Sequence, residues 1–66
     1  MEVTVNGERR TVAPGTTVGD VVRGLTRASG GVAAALNDDV VPRTAWETTP
    51  VAENDRVDVL TAVQGG

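Results

Sequence analysis

The chain has 66 residues, a net charge of −3, and neither cysteine nor histidine. A domain of that length buries only about 60% of the surface its unfolded chain would expose, which leaves one thin core and no deep cleft. Disulfides, zinc sites of the usual nitrogen and sulfur ligands, and Ser-His or Cys-His nucleophile pairs are excluded. Acid-base work near neutrality would need a carboxyl group with a strongly shifted pKa, so an enzyme is disfavoured. An acidic balance with one aromatic residue, Trp46, argues against a nucleic-acid module, which would show a basic stripe and stacking rings. Apolar runs of only a few residues resemble neither a signal peptide nor a membrane span, and the expected location is the cytoplasm. All six basic residues are arginines, so any conjugation of the domain would run through its end and not through a lysine amine.

Val3 and Val5 alternate with Glu2 and Thr4 at the two-residue period of a half-buried strand. Asn6-Gly7 follows, the strongest short hairpin signal, because a type I′ turn needs positive φ at both central residues. Glu8 to Val12 is the expected return strand. Ala13-Pro14-Gly15 stops it, and Thr17 with Asp20 has the spacing of a helix N-cap and its N3 partner. Val18, Val21, Val22 and Leu25 then form one helical stripe. Gly19 and Gly24 each weaken that helix by roughly 1 kcal/mol relative to Ala, so packing on a sheet must hold it. Gly30-Gly31 is its expected end.

Val32 to Leu36 is suited to a central strand buried on both faces. Asn37-Asp38-Asp39 is a turn, Val40-Val41 a short strand, and Pro42 interrupts it. Arg43 to Val51 is expected to be irregular, with Trp46 plugging the core edge. Glu53-Asn54-Asp55 is another turn, and Arg56 to Ala62 the last strand. The order strand, strand, helix, strand, short strand, strand predicts an α+β fold. It is a β-grasp-like mixed sheet of four to five strands with one helix on one face. The expected division is a domain over 1–62 and a flexible tail over 63–66.

Val57 and Val59 share a parity that faces the helix, so Asp58, Leu60 and Ala62 face away from it. Leu60 is then an exposed apolar side chain beside the tail. Scattered surface leucines are ordinary, whereas a patch marks a partner surface. Gly65 and Gly66 lack a Cβ and can thread a passage closed to other residues. The end is a carboxylate, able to attack the α-phosphate of a bound ATP to form an acyl-adenylate open to sulfur or an amine. The simpler reading of a two-glycine end is a frayed terminus. Asn37-Asp38-Asp39 is better read as a solvated turn than a cation site, because EF-hand spacing is absent. Gly30-Gly31 lacks the context of a phosphate loop.

Taken together, these residues resemble the ThiS family, the sulfur carriers of thiamine biosynthesis, over the whole chain. The resemblance rests on the Met1–Gly7 strand and turn, Thr16-Thr17-Val18, Leu36-Asn37, and Val41-Pro42-Arg43 followed by Trp46. Asp55-Arg56-Val57 and the ending Thr61-Ala62-Val63-Gln64-Gly65-Gly66 complete it. It implies a ubiquitin-like fold and a cycle in which a ThiF-type enzyme adenylates Gly66 with MgATP. Sulfur, ultimately from a cysteine desulfurase, displaces AMP to leave a thiocarboxylate for a ThiG-type thiazole synthase. Gly66 is then the modified group, Gly65 and Gln64 its tail, and Leu60, Ala62 and Val63 the partner surface. No bound cofactor or metal is expected. A molybdopterin-synthase-type small subunit and a sulfur carrier of another pathway share the mechanism. A non-catalytic β-grasp interaction module with an inert tail is the reading from another class.

Overall fold

Alternation sets the first strand. In the computed structural model, which describes residues 1–26 and 31–61, β1 (Glu2–Val5) buries Val3 and Val5 and turns Glu2 and Thr4 the other way. Asn6 and Gly7 have φ of 49° and 84°, the positive pair a type I′ turn requires, and β2 (Glu8–Thr11) returns antiparallel.

Helix α1 (Val18–Leu25) starts with the complete capping box: the Thr17 hydroxyl accepts from the Asp20 amide and the Asp20 carboxylate accepts from the Thr17 amide. Its stripe of Val18, Val21 and Val22 is buried, with Leu25 packed at the margin. The helix ends earlier than its glycine pair suggested. Thr26 takes an extended C-cap conformation and its amide still bonds the Val22 carbonyl. Gly31 lies five residues beyond that cap, with φ of 67°, and Gly30 is outside the described residues. An eight-residue helix spans the covered face, and the valines and glycines within it favour no extension.

β3 (Val32–Leu36) and β4 (Asp39–Val41) form a second two-residue hairpin, with Asn37 and Asp38 at φ of 50° and 75°. The stretch expected to be irregular contains a 3-10 helix, Arg43–Thr48, which delivers Trp46 into the core. The indole N–H donates to the Val41 carbonyl at 2.9 Å, and the Arg43 guanidinium lies 5.4 Å from the ring centre. This short helix is tied to α1 by Arg23, which binds Asp20 at 2.7 Å and grips Glu47 with both terminal guanidinium nitrogens. Gly19 is buried where Glu47 crosses the helix, and a Cβ there would run into that carboxylate. The glycine that weakens the helix therefore makes room for the strap.

β5 (Arg56–Thr61) is the central strand of a sheet ordered β2-β1-β5-β3-β4, parallel to β1 and antiparallel to β3. The core lies wholly on the helix side: Val3, Val5, Val57, Val59, Ala34 and Val41 from the sheet meet Val18, Val21, Val22, Trp46 and Val51. β3 is a correction to its sequence reading. Only Ala34 is buried, while Ala33 is exposed, because among the described residues the helix covers one face and nothing covers the other. Its sequence, VAAAL, suits burial on both faces because it has no polar residue to mark an outward one.

Candidate functional site: the uncovered sheet face

The uncovered face divides into two halves. On β1 and β2 it is polar: Arg9 binds Glu2 at 2.7 Å and reaches Asn54. On β5, β3 and β4 it is largely apolar. Leu60 is 73% exposed and Val40 is 76% exposed, the two large apolar side chains so displayed among the described residues. The register explains why they act together. Ala33 lies opposite Leu60, and Ala35 lies opposite both Asp58 and Val40. Leu60 and Val40 therefore form two ridges over a floor of alanine, a shallow recess of about 100 Å³.

One edge of the recess is charged. The Arg56 guanidinium is gripped by Asp38 and bonds Asp58 at 3.3 Å, and these carboxylates, Asp38 first, hold its pKa above the usual arginine value. Asp38, read from the sequence as part of a solvated turn, is thus the partner of Arg56. Among the described residues no cluster of three or more acidic side chains is arranged to hold a metal.

Leu60 stands where strand parity put it, outward and exposed. The other site residues expected from the sequence, Ala62, Val63, Gln64, Gly65 and Gly66, lie outside the described residues. Sequence reasoning missed Val40, Ala33 and Ala35 as companions of Leu60. The signal was available: adjacent residues in a strand face opposite ways, so one of Val40 and Val41 had to be outward. A larger concavity of about 200 Å³ lies between β2 and α1, lined in part by Val12, Val21 and Leu25, at the sheet edge away from Leu60.

Five strands grasping one helix, with an apolar recess on the bare face, place the molecule among the β-grasp proteins. The ThiS family model matches residues 3–66, and the chain belongs to the ThiS family. It is 29% identical over 66 residues to the sulfur carrier protein ThiS of Escherichia coli K12, covering 100% of both chains. The crystal structure of the thiamine biosynthesis protein ThiS from Geobacter metallireducens superposes with a TM-score of 0.75 at 33% identity, each chain fully covered. The solution structure of a thiamine biosynthesis protein from Geobacter metallireducens gives 0.79 at 33% identity, over 100% of this chain and 88% of that one.

Proposed function

We propose that this chain carries sulfur for thiamine biosynthesis as a thiocarboxylate on Gly66, acting as a substrate of other enzymes and not as a catalyst. The observation that supports it most is the family match, which runs through the Gly65-Gly66 end. In the proposed cycle a carboxylate oxygen of Gly66 attacks the α-phosphorus of MgATP held by a ThiF-type enzyme, and pyrophosphate leaves. A persulfide sulfur, supplied through a cysteine desulfurase, displaces AMP to give an acyl disulfide. A thiol then cleaves the sulfur–sulfur bond and releases the thiocarboxylate, which a ThiG-type thiazole synthase consumes. The chain contributes an end without Cβ atoms and, through Leu60, Val40 and the alanines between them, a surface to dock its partners. Ala62 and Val63 extend that surface in this reading, Gln64 and Gly65 bring Gly66 to the partner's site, and residues 63–66 form the tail.

The test is the intact mass of the chain after incubation with a ThiF-type enzyme, MgATP, cysteine desulfurase, cysteine and a thiol. The expected result is a gain matching one oxygen replaced by sulfur, abolished by deleting Gly66. A chain that gains neither AMP nor sulfur overturns the reading and leaves a β-grasp interaction module.

A further inference from the structure

β1 and β5 pair in parallel for a short distance only. Thr4 is in register with Arg56 and Val5 with Val57, and the Asn6 amide donates to the Val57 carbonyl at 3.0 Å. The next rung of a parallel ladder would take the Val59 amide to the backbone carbonyl of Asn6. By then the chain has entered the hairpin turn, with Asn6 at φ of 49°. The side chain supplies the rung: the Val59 amide donates to Asn6 Oδ1 at 2.7 Å. Beyond it Leu60 and Thr61 are in register with Ala33 and Val32 of β3. Among the described residues nothing from β1 reaches past Val59, so Asn6 is the last hold on that flank of β5.

We propose that Asn6 is a positioning residue for activation, aiming the end of β5 by holding the Val59 amide. This rests on the proposed role of Gly66. If the flank is released, the strand after Val57 is held from β3 alone, and the direction in which the chain leaves Thr61 is less determined. Orientation of a reacting group is worth orders of magnitude in rate, so a small loss of aim is kinetically visible. The turn asks only for positive φ, which asparagine favours and glycine also accepts, so the bond to Val59 is separable from it.

The molecule supplies its own control. Asn37 also opens a two-residue turn, at φ of 50°, and also clamps β5, but at the other end: its Oδ1 accepts the Arg56 amide at 2.9 Å and its Nδ2 donates to Asp55 at 3.1 Å. Glycine accepts positive φ freely and removes only the acceptor, whereas aspartate keeps both the turn and an acceptor.

The experiment compares Asn6→Gly, Asn6→Asp and Asn37→Gly with the wild-type chain by ATP–pyrophosphate exchange on a ThiF-type enzyme, at a temperature where all remain folded. Asn6→Gly is expected to lower kcat by about tenfold with KM little changed, since the Leu60 recess is intact. Asn6→Asp restores the rate, and Asn37→Gly loses stability but not kcat. Equal behaviour of the two glycine variants overturns the proposal. Amide exchange at Val59 gives a readout independent of any enzyme: in Asn6→Gly it accelerates beyond what the variant's loss of global stability accounts for, in Asn37→Gly it follows global stability alone, and the same dependence in both variants overturns the proposal. Failure of the wild-type chain to be adenylated counts instead against the proposed function.

Discussion

The two faces of the sheet are built from the same strands and differ in almost every other respect. Toward the helix, β5 presents Val57 and Val59, at 0% and 7% exposure, to a layer of valines closed at its edge by Trp46. Away from the helix the same strand presents Arg56, Asp58 and Leu60, and among the described residues no second layer covers them. One face stabilises the domain, and the other is the face that the proposed function assigns to recognition. The comparison teaches that in a domain this small the two tasks can be assigned to alternate residues of one strand, so a substitution at one position should leave the other task untouched.

That separation can be attacked from either side. Val57→Ala removes two carbon groups from a fully buried site, worth about 0.8 kcal/mol each before the cavity left behind is added. A loss of about 2 kcal/mol or more in denaturant unfolding is expected, large against the 3–5 kcal/mol or so that a core of this size supplies. A smaller change would mean that the neighbours collapse into the space.

The helix cap adds a pH dependence that belongs to the stabilising side alone. Hydrogen bonds from the Thr17 amide and hydroxyl, then Arg23, hold the Asp20 carboxyl below its usual range. A folded pKa lowered in this way contributes stability above the unfolded value of about 3.9 and loses it as pH falls through the folded value. Thermal unfolding followed between neutral pH and pH 3 should therefore lose less stability in Asp20→Asn than in the wild-type chain. Parallel curves would mean that the carboxyl titrates alike in both states.

Leu60→Asp is the mildest test for the fold and the sharpest for the open face. It should shift unfolding by no more than about 0.5 kcal/mol, as substitutions at exposed positions do. Binding to the adenylating enzyme, measured by calorimetry, should weaken. Unfolding of the variant would show that the recess has a structural role and that the two faces are not separable.

Much of the covered face was legible in the residues themselves. The valine alternation of β1 and β5, the stripe Val18-Val21-Val22-Leu25 and the pair Thr17 and Asp20 mark burial and capping through local rules. The outer half of β3 was not, because alanine suits a buried strand and a bare one equally, and only the number of covering helices decides between them. The 3-10 helix escaped for a similar reason: Arg43 to Thr48 has no repeating apolar pattern and is ordered by Trp46 and by Glu47 reaching Arg23. Of the site, strand parity alone placed Leu60, but its companions depend on the pairing register of β3 with β5 and β4. The Asn6 clamp depends on contact between residues 53 apart, which no local pattern records.

The position of β5 between β1 and β3 also bears on how the protein is made. Of the described strands, the first and the last in chain order meet at the middle of the sheet. While β5 is still inside the ribosome, the two hairpins have no common partner and the core lacks Val57 and Val59. The domain therefore closes after its last strand emerges and not progressively, and long-range pairing of this kind is slow to form. A nascent chain interrupted before Arg56 would display unfinished edges to chaperones and proteases, so the completed fold certifies that β5 has been translated.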